Sequence, residues 1–125
     1  VRVLIVDDDQ SLRELLARRL RRLAPVTQIC TAENGRQALD QIGRESPDLV
    51  ITDLRMPVCD GLRLAEEIER SRPSIPVVLM SSHVPPEIAE RSSALGLRAV
   101  FSKDELQRSL PQLLELLLVS AADQD

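Results

Sequence analysis

Leu49-Val50-Ile51-Thr52-Asp53 is a short, almost wholly apolar run that ends on a carboxylate, and three other stretches repeat the design. Val3-Leu4-Ile5-Val6 runs into Asp7-Asp8-Asp9, Val77-Val78-Leu79-Met80 into Ser81-Ser82, and Ala99-Val100-Phe101-Ser102 into Lys103. Apolar runs this short and this continuous read as strands buried on both faces, as in a parallel sheet. Ligand sites in such sheets gather at the carboxyl ends of the strands, which is where all four polar landmarks fall. Lys103 is the only lysine beside fifteen arginines. A compact ammonium placed where carboxylates cluster is a chemical choice that arginine does not duplicate.

Between these runs lie helical patterns. A helix over about 10–23 is expected from Leu12, Leu15, Leu16, Leu20 and Leu23 at helical spacing. A second strand fits 26–31, and a helix over about 34–44 turns Ala38, Leu39 and Ile42 inward before Pro47. The strand at 48–52 leads to a helix over about 61–71, which Pro73 blocks from continuing. A strand at 76–81 leads to a helix over about 86–95 that ends at Gly96, then a strand at 98–102. Pro86 suits the first turn of the fourth helix. The last helix, about 104–119, is leucine-rich and carries Pro111 either near its start or as a kink. Residues 120–125 read as a frayed end or the start of a linker. Strand–helix alternation with short connections implies right-handed crossovers and helices on both faces. The expected fold is a five-stranded doubly wound α/β domain.

Composition narrows the function. The 125 residues suit one domain with one core. A net charge of −4 offers no electrostatic footprint for nucleic acid on this domain. The apolar runs are too short to span a bilayer, and no signal-peptide pattern opens the chain. Val1 in place of an initiator methionine points to an excised or processed segment. Cys30, expected in a strand, and Cys59, expected in a loop, lack metal-ligand spacing. Both read as reduced thiols of a cytoplasmic protein.

Carboxylates gathered at one sheet edge repel one another unless a cation joins them. A hard divalent ion with oxygen ligands resolves the conflict, and Mg²⁺ suits few carboxylates with retained waters. No glycine-rich phosphate loop is present, which argues against a bound nucleotide. A carboxylate beside a divalent ion, a hydroxyl and a lysine can instead accept a phosphoryl group.

Four separated motifs resemble the receiver domains of two-component response regulators, and the likeness covers nearly the whole chain. Leu4-Ile5-Val6-Asp7-Asp8-Asp9 is similar to the opening acidic pair, and Thr52-Asp53-Leu54-Arg55-Met56-Pro57 with Asp60-Gly61 to the segment around the phosphorylated aspartate. Ser81 stands at the hydroxyl position and Ser102-Lys103 at the lysine position. The resemblance implies a flavodoxin-like sheet of order 2-1-3-4-5, with a receiver over 1–119. It also implies that Asp53 accepts phosphate from the phosphohistidine of a sensor kinase or phosphotransfer protein. Asp8 would then bind Mg²⁺ directly, Asp7 directly or through water, with Asp53 and the Arg55 main-chain carbonyl completing the protein ligands. Kinases would dock on the first helix, at Ser11, Leu12, Leu15, Arg18 and Arg19, and homodimers are a further expected assembly.

Three positions depart from the family pattern. Asp104 follows Lys103 where many receivers carry proline, a feature similar to receivers that precede a DNA-binding output domain. Val100 occupies the position of an aromatic switch residue, with Phe101 expected on the other side of the strand. Ser82 stands where a small residue is usual, so Ser81, Ser82 and Val100 form the expected readout. The arginines at 18–19 and 21–22 read as the solvated face of a helix rather than a nucleic-acid patch. His83 reads as a surface loop residue. Two other functions fit in part: a phosphorylation-independent interaction module, and a haloacid-dehalogenase-type phosphatase using Asp7, Asp9, Ser81 and Lys103. The second leaves Asp53, Met56-Pro57 and Asp60-Gly61 without a role.

Overall fold

The computed structural model describes residues 1–23, 26, 28–112 and 114–115 of the chain. In chain order the elements are β1 (Arg2–Val6), α1 (Gln10–Arg21), β2 (Gln28–Ala32), α2 (Gly35–Arg44), β3 (Leu49–Asp53), α3 (Gly61–Ser71), β4 (Val77–Ser81), α4 (Pro86–Glu90), β5 (Ala99–Ser102) and α5 (Lys103–Arg108). The five strands form one parallel sheet in the order β2-β1-β3-β4-β5. This is the doubly wound sheet expected from the residue pattern, in the flavodoxin-like order that the family resemblance implies.

Successive strand residues face opposite sides of a sheet, so each strand feeds two cores. Val3 and Ile5 join Leu16, Leu20, Leu106 and Leu110 on the face covered by α1 and α5. Leu4 and Val6 join Ala38, Ile42, Leu64 and Ile68 on the face covered by α2 and α3. Each such leucine or isoleucine contributes ~1.5–3 kcal/mol by leaving water. Phe101 packs against the first core and Val100 against the second, the division expected for adjacent strand residues.

Register aligns the polar strand ends. Val6 lies beside Thr52 and Asp53 beside Met80, so Asp7, Asp53 and Ser81 emerge at one edge. Ser81 pairs with Ser102, which places Lys103 one residue beyond.

Most boundaries differ from expectation by one or two residues, the usual uncertainty of helix and strand ends. Two differences are larger. The fourth helix stops at Glu90 instead of running to about 95, and turns carry the chain to Gly96, whose φ is 77°. It buries no residue and has no side-chain cap, and serines such as Ser92 and Ser93 are weak helix formers. The last helix breaks at Ser109 and is helical again at 110–112. Pro111 has no N–H to donate to the Gln107 carbonyl four residues earlier. Arg19 Nη1 donates to that carbonyl instead, at 3.1 Å, and Pro111 sits in the first turn of the helical stretch that resumes after the break at Ser109. The expected end of this helix at 119, the tail at 120–125 and the domain boundary between them lie outside the described residues.

Candidate functional site

Asp7 follows β1 directly and is completely buried. Its Oδ1 accepts from the Asp9 N–H at 2.8 Å, and its main-chain carbonyl accepts from Arg13 Nη1 at 2.7 Å. Its Oδ2 lies 3.1 Å from Lys103 Nζ, an ion pair, and no directed hydrogen bond reaches that buried oxygen. Asp53 ends β3 with 6% exposure, and its Oδ2 lies 3.5 Å from the same ammonium. The Arg55 N–H donates to the Asp53 carboxylate. The Thr52 hydroxyl donates to the Asp53 carbonyl at 3.0 Å.

The turn after Asp53 explains the Asp60-Gly61 pair. Asp60 caps α3 by accepting from the Arg63 N–H, and the Gly61 N–H donates to the Leu54 carbonyl at 2.9 Å. A Cβ on Gly61 would stand 2.2 Å from the Asp53 carbonyl oxygen. Only glycine lets α3 begin this close to the Asp53 backbone. Val58, 79% exposed, adopts φ 71° where the Cys59 N–H folds back to the Pro57 carbonyl at 2.8 Å.

Lys103 is the first residue of α5. Ser102 accepts from the Glu105 N–H, and the Glu105 side chain accepts from the Ser102 N–H. This capping box is legible as Ser102-x-x-Glu105, a signal the sequence reading passed over. It starts the helix at the lysine.

Asp7, Asp8 and Asp53 each offer a carboxylate oxygen, all within 4.8 Å of one another, with Asp8 exposed. Three carboxylates against one ammonium leave a formal charge of −2 that a single divalent cation balances. Three carboxylates offering only oxygen donors, all within 4.8 Å of one another, fit a hard cation. Burial pushes the Asp53 carboxyl above the ordinary carboxylate range, against the opposing pull of Lys103 and the Arg55 N–H. Burial likewise raises Asp7, with the Asp53 charge adding to it. Burial alone would lower Lys103, but Asp7 and then Asp53 outweigh it and hold the ammonium above its usual value.

Ser81, 5% exposed at the end of β4, donates its hydroxyl to the His83 carbonyl at 2.8 Å. A cleft of about 480 Å³ is lined by Asp53, Arg55, Ser81, Ser82, His83 and Lys103. Asp7, Asp8, Asp53, Ser81 and Lys103, which the sequence placed at strand ends, lie together at one edge of the sheet. Its docking group is less uniform. Ser11, Arg18 and Arg19 are exposed and Leu15 is half-buried, but Leu12, expected on the surface, is buried in the core beneath α1. Its spacing from Leu16 and Leu20 carries it inward. Arg19 is exposed yet engaged with α5. His83 lies on an exposed loop, and Cys30 and Cys59 are free thiols in a strand and a loop as expected.

Among the described residues no helix is long and apolar enough to cross a membrane. The family model of the response regulator receiver domain matches residues 3–115. The transcriptional regulatory protein GlrR of Escherichia coli is 36% identical over 117 residues, which cover 90% of this chain and 26% of that protein. The DNA-binding transcriptional regulator NtrC of E. coli is 40% identical over 82 residues, covering 65% of this chain and 17% of that protein. The chain thus spans about a quarter or less of these curated relatives. The signal receiver domain of the response regulator NarL from Mycobacterium tuberculosis superposes with a TM-score of 0.85 at 29% identity, covering 98% of this chain and 96% of that one. A CheY-like receiver domain from Methanospirillum hungatei reaches a TM-score of 0.90 at 22% identity, covering 99% and 98%, a likeness of fold alone. With the family model spanning nearly every element that carries the acidic edge, this chain belongs to the response regulator receiver domain family.

Proposed function

We propose that Asp53 is the phosphoryl acceptor of a two-component signalling switch. The observation that carries this reading is the convergence of Asp53, Ser81 and Lys103 on one cleft, with Lys103 Nζ bridging Asp53 and Asp7. Phosphohistidine on a partner kinase or phosphotransfer protein is the donor. The nitrogen–phosphorus bond breaks as an Asp53 carboxylate oxygen bonds to phosphorus, and the imidazole leaves with the electron pair and takes up a proton. Lys103 meets the negative charge of the transferred oxygens, and Ser81 donates a hydrogen bond to them. Asp8 and Asp53 would hold Mg²⁺ directly, Asp7 directly or through water, with the Arg55 carbonyl as a further ligand. Bound there, Mg²⁺ supplies neutralisation of the equatorial phosphoryl oxygens. The domain assists its own phosphorylation and dephosphorylation but turns over no separate substrate.

In the unphosphorylated state Ser81 spends its only proton on the His83 carbonyl. Donating to a phosphoryl group instead frees that carbonyl and loosens the chain after β4. Val100 is half-buried and too small to fill the space as an aromatic ring would. Backbone motion in residues 82–86 therefore carries the signal to α4, β5 and α5. Ser11, Leu15 and Arg18 on α1 remain the surface for the donor protein. A cytoplasmic setting, receiver–receiver pairing and a DNA-binding output domain outside this chain are the corresponding expectations; the last accords with the relatives' description as transcriptional regulators.

The haloacid-dehalogenase alternative needs Asp7 as nucleophile. Asp7 is fully enclosed, whereas Asp53 lines the cleft. Asp53→Asn keeps the side-chain volume and loses the nucleophile, so labelling by acetyl phosphate with Mg²⁺ should fall to background while the fold persists. Mass spectrometry after borohydride reduction locates the acyl phosphate. Labelling of Asp53→Asn at the unaltered level would refute the assignment.

A further inference from the structure

Two of the three clustered carboxylates are held by hydrogen bonds or ion pairs. Asp7 is fixed by the Asp9 N–H and Lys103, and Asp53 by Lys103 and the Arg55 N–H. The exposed Asp8 has no hydrogen-bond or ion-pair partner among the described residues. Its carboxylate therefore has no side-chain support, and what the structure fixes is the backbone from which its Cα–Cβ bond departs. The peptide that enters Asp8 is the one whose carbonyl belongs to Asp7, and that carbonyl is gripped by Arg13 Nη1 at 2.7 Å. Arg13 reaches it from α1 with a side chain only 12% exposed, and its other nitrogen lies 3.9 Å from Glu33 Oε1 on the loop after β2. A charged hydrogen bond this short is stronger than a neutral one. It ties the Asp7–Asp8 peptide to a rigid helix.

From this geometry we infer that Arg13 is a positioning residue for a divalent-cation site, setting the direction of Asp8 through the carbonyl of Asp7. The inference rests on the reading of Asp7, Asp8 and Asp53 as that site.

The sign of the effect separates positioning from charge. Arg13 is a cation near a cation site, so by Coulomb's law its removal alone would tighten Mg²⁺ binding. Positioning requires the reverse. Calorimetric titration of the full chain with Mg²⁺ should find Arg13→Ala weaker by about tenfold, the typical cost of losing a group that orients a metal ligand. Arg13→Lys retains a donor that can reach the carbonyl, and should recover part of the loss. Glu33→Gln leaves the carbonyl bond intact and should stay within about twofold of the unaltered chain. At saturating Mg²⁺ the rate of acetyl phosphate labelling of Arg13→Ala should return to within about twofold, because the nucleophile is untouched. Thermal melts check folding, and if Arg13→Ala does not fold, Arg13→Lys carries the comparison. Mg²⁺ affinity unchanged or tightened in the folded variants would overturn the inference while leaving the phosphoacceptor reading in place. No Mg²⁺ binding by the unaltered chain would instead remove both.

Discussion

The segments after β3 and after β4 start alike, each leaving a buried strand at a polar residue of the site, and then diverge. After Asp53 the chain makes a tight turn, is capped by Asp60, and enters an α3 of eleven residues with Gly61, Leu64, Ala65 and Ile68 buried. After Ser81 it enters an α4 of five residues with none buried and no side-chain cap. The first segment holds its carboxylate by covalent continuity with a well-anchored helix. The second is held by Ser81 donating to the His83 carbonyl and by partial packing of Ile88. Under the proposed function the acceptor Asp53 has to stay in place and the readout at Ser81 has to move, and segments of low local stability are the ones that can.

The largest test compares two isoleucines. Ile68 is 1% exposed, and Ile68→Ala should cost ~2–5 kcal/mol in urea unfolding, the range for a core truncation. Ile88 is only half-buried on α4, and Ile88→Ala should cost less than about 1 kcal/mol. Equal costs would erase the distinction between the two segments.

Amide hydrogen exchange with and without beryllofluoride sharpens the same contrast. Protection should change by about tenfold or more across residues 82–103, equivalent to about 1.4 kcal/mol of local opening. The turn and helix at 54–71 should change less. A response confined to α1 would place the output surface elsewhere.

A smaller effect tests the strain within the acidic edge itself. Asp7 and Asp53 have folded-state pKa values raised above 3.8, chiefly by burial. Their contribution to metal-free stability is full below that value and is lost as pH rises through the raised ones. Asp53→Asn removes one of these losses, so without Mg²⁺ it should be more stable than the unaltered chain at pH 7, by on the order of 1 kcal/mol. The gain should vanish on acidification to about pH 3, where both carboxyls are protonated. Lys103 runs the other way along the scale. Its raised value means stability that is kept below 10.5 and lost above it in alkali. A gain that persists unchanged at pH 3 would mean that charge is not its origin.

The smallest effect lies in the turn after Asp53. Val58 holds φ 71° with its side chain in solvent. For a residue with a Cβ this conformation costs roughly 1–2 kcal/mol, while glycine in its place costs ~0.5–1 kcal/mol of chain entropy. Val58→Gly should therefore gain up to about 1 kcal/mol in thermal unfolding without disturbing labelling at Asp53. A loss of stability would show that the exposed valine contributes packing not apparent in its 79% exposure.

Where the reading of residues succeeded, the physics was local. Val3 to Val6 and Leu49 to Ile51 are buried on both sheet faces, and an apolar run bounded by carboxylates permits few other fates. Helix α3 begins and ends where Asp60-Gly61 and Pro73 indicate. Ser102 and Glu105 also spelled out the start of α5, and their spacing could have been used. Leu12 was assigned to two roles because heptad-like spacing and a docking surface compete for the same positions; packing against the first core settles it inward.

By itself the sequence determined the parallel sheet, the side of it on which the polar residues gather, and the identity of the acidic and basic groups there. These follow from strand periodicity and from where each run meets a charge. Tertiary structure decided the rest: that Lys103 reaches both Asp7 and Asp53, that Arg19 takes the carbonyl Pro111 leaves without a donor, that Arg13 grips the Asp7 carbonyl, and that the fourth helix stops after five residues. Each depends on which groups from distant parts of the chain arrive within hydrogen-bonding reach. Register and packing set that distance, and neither is written in any single segment.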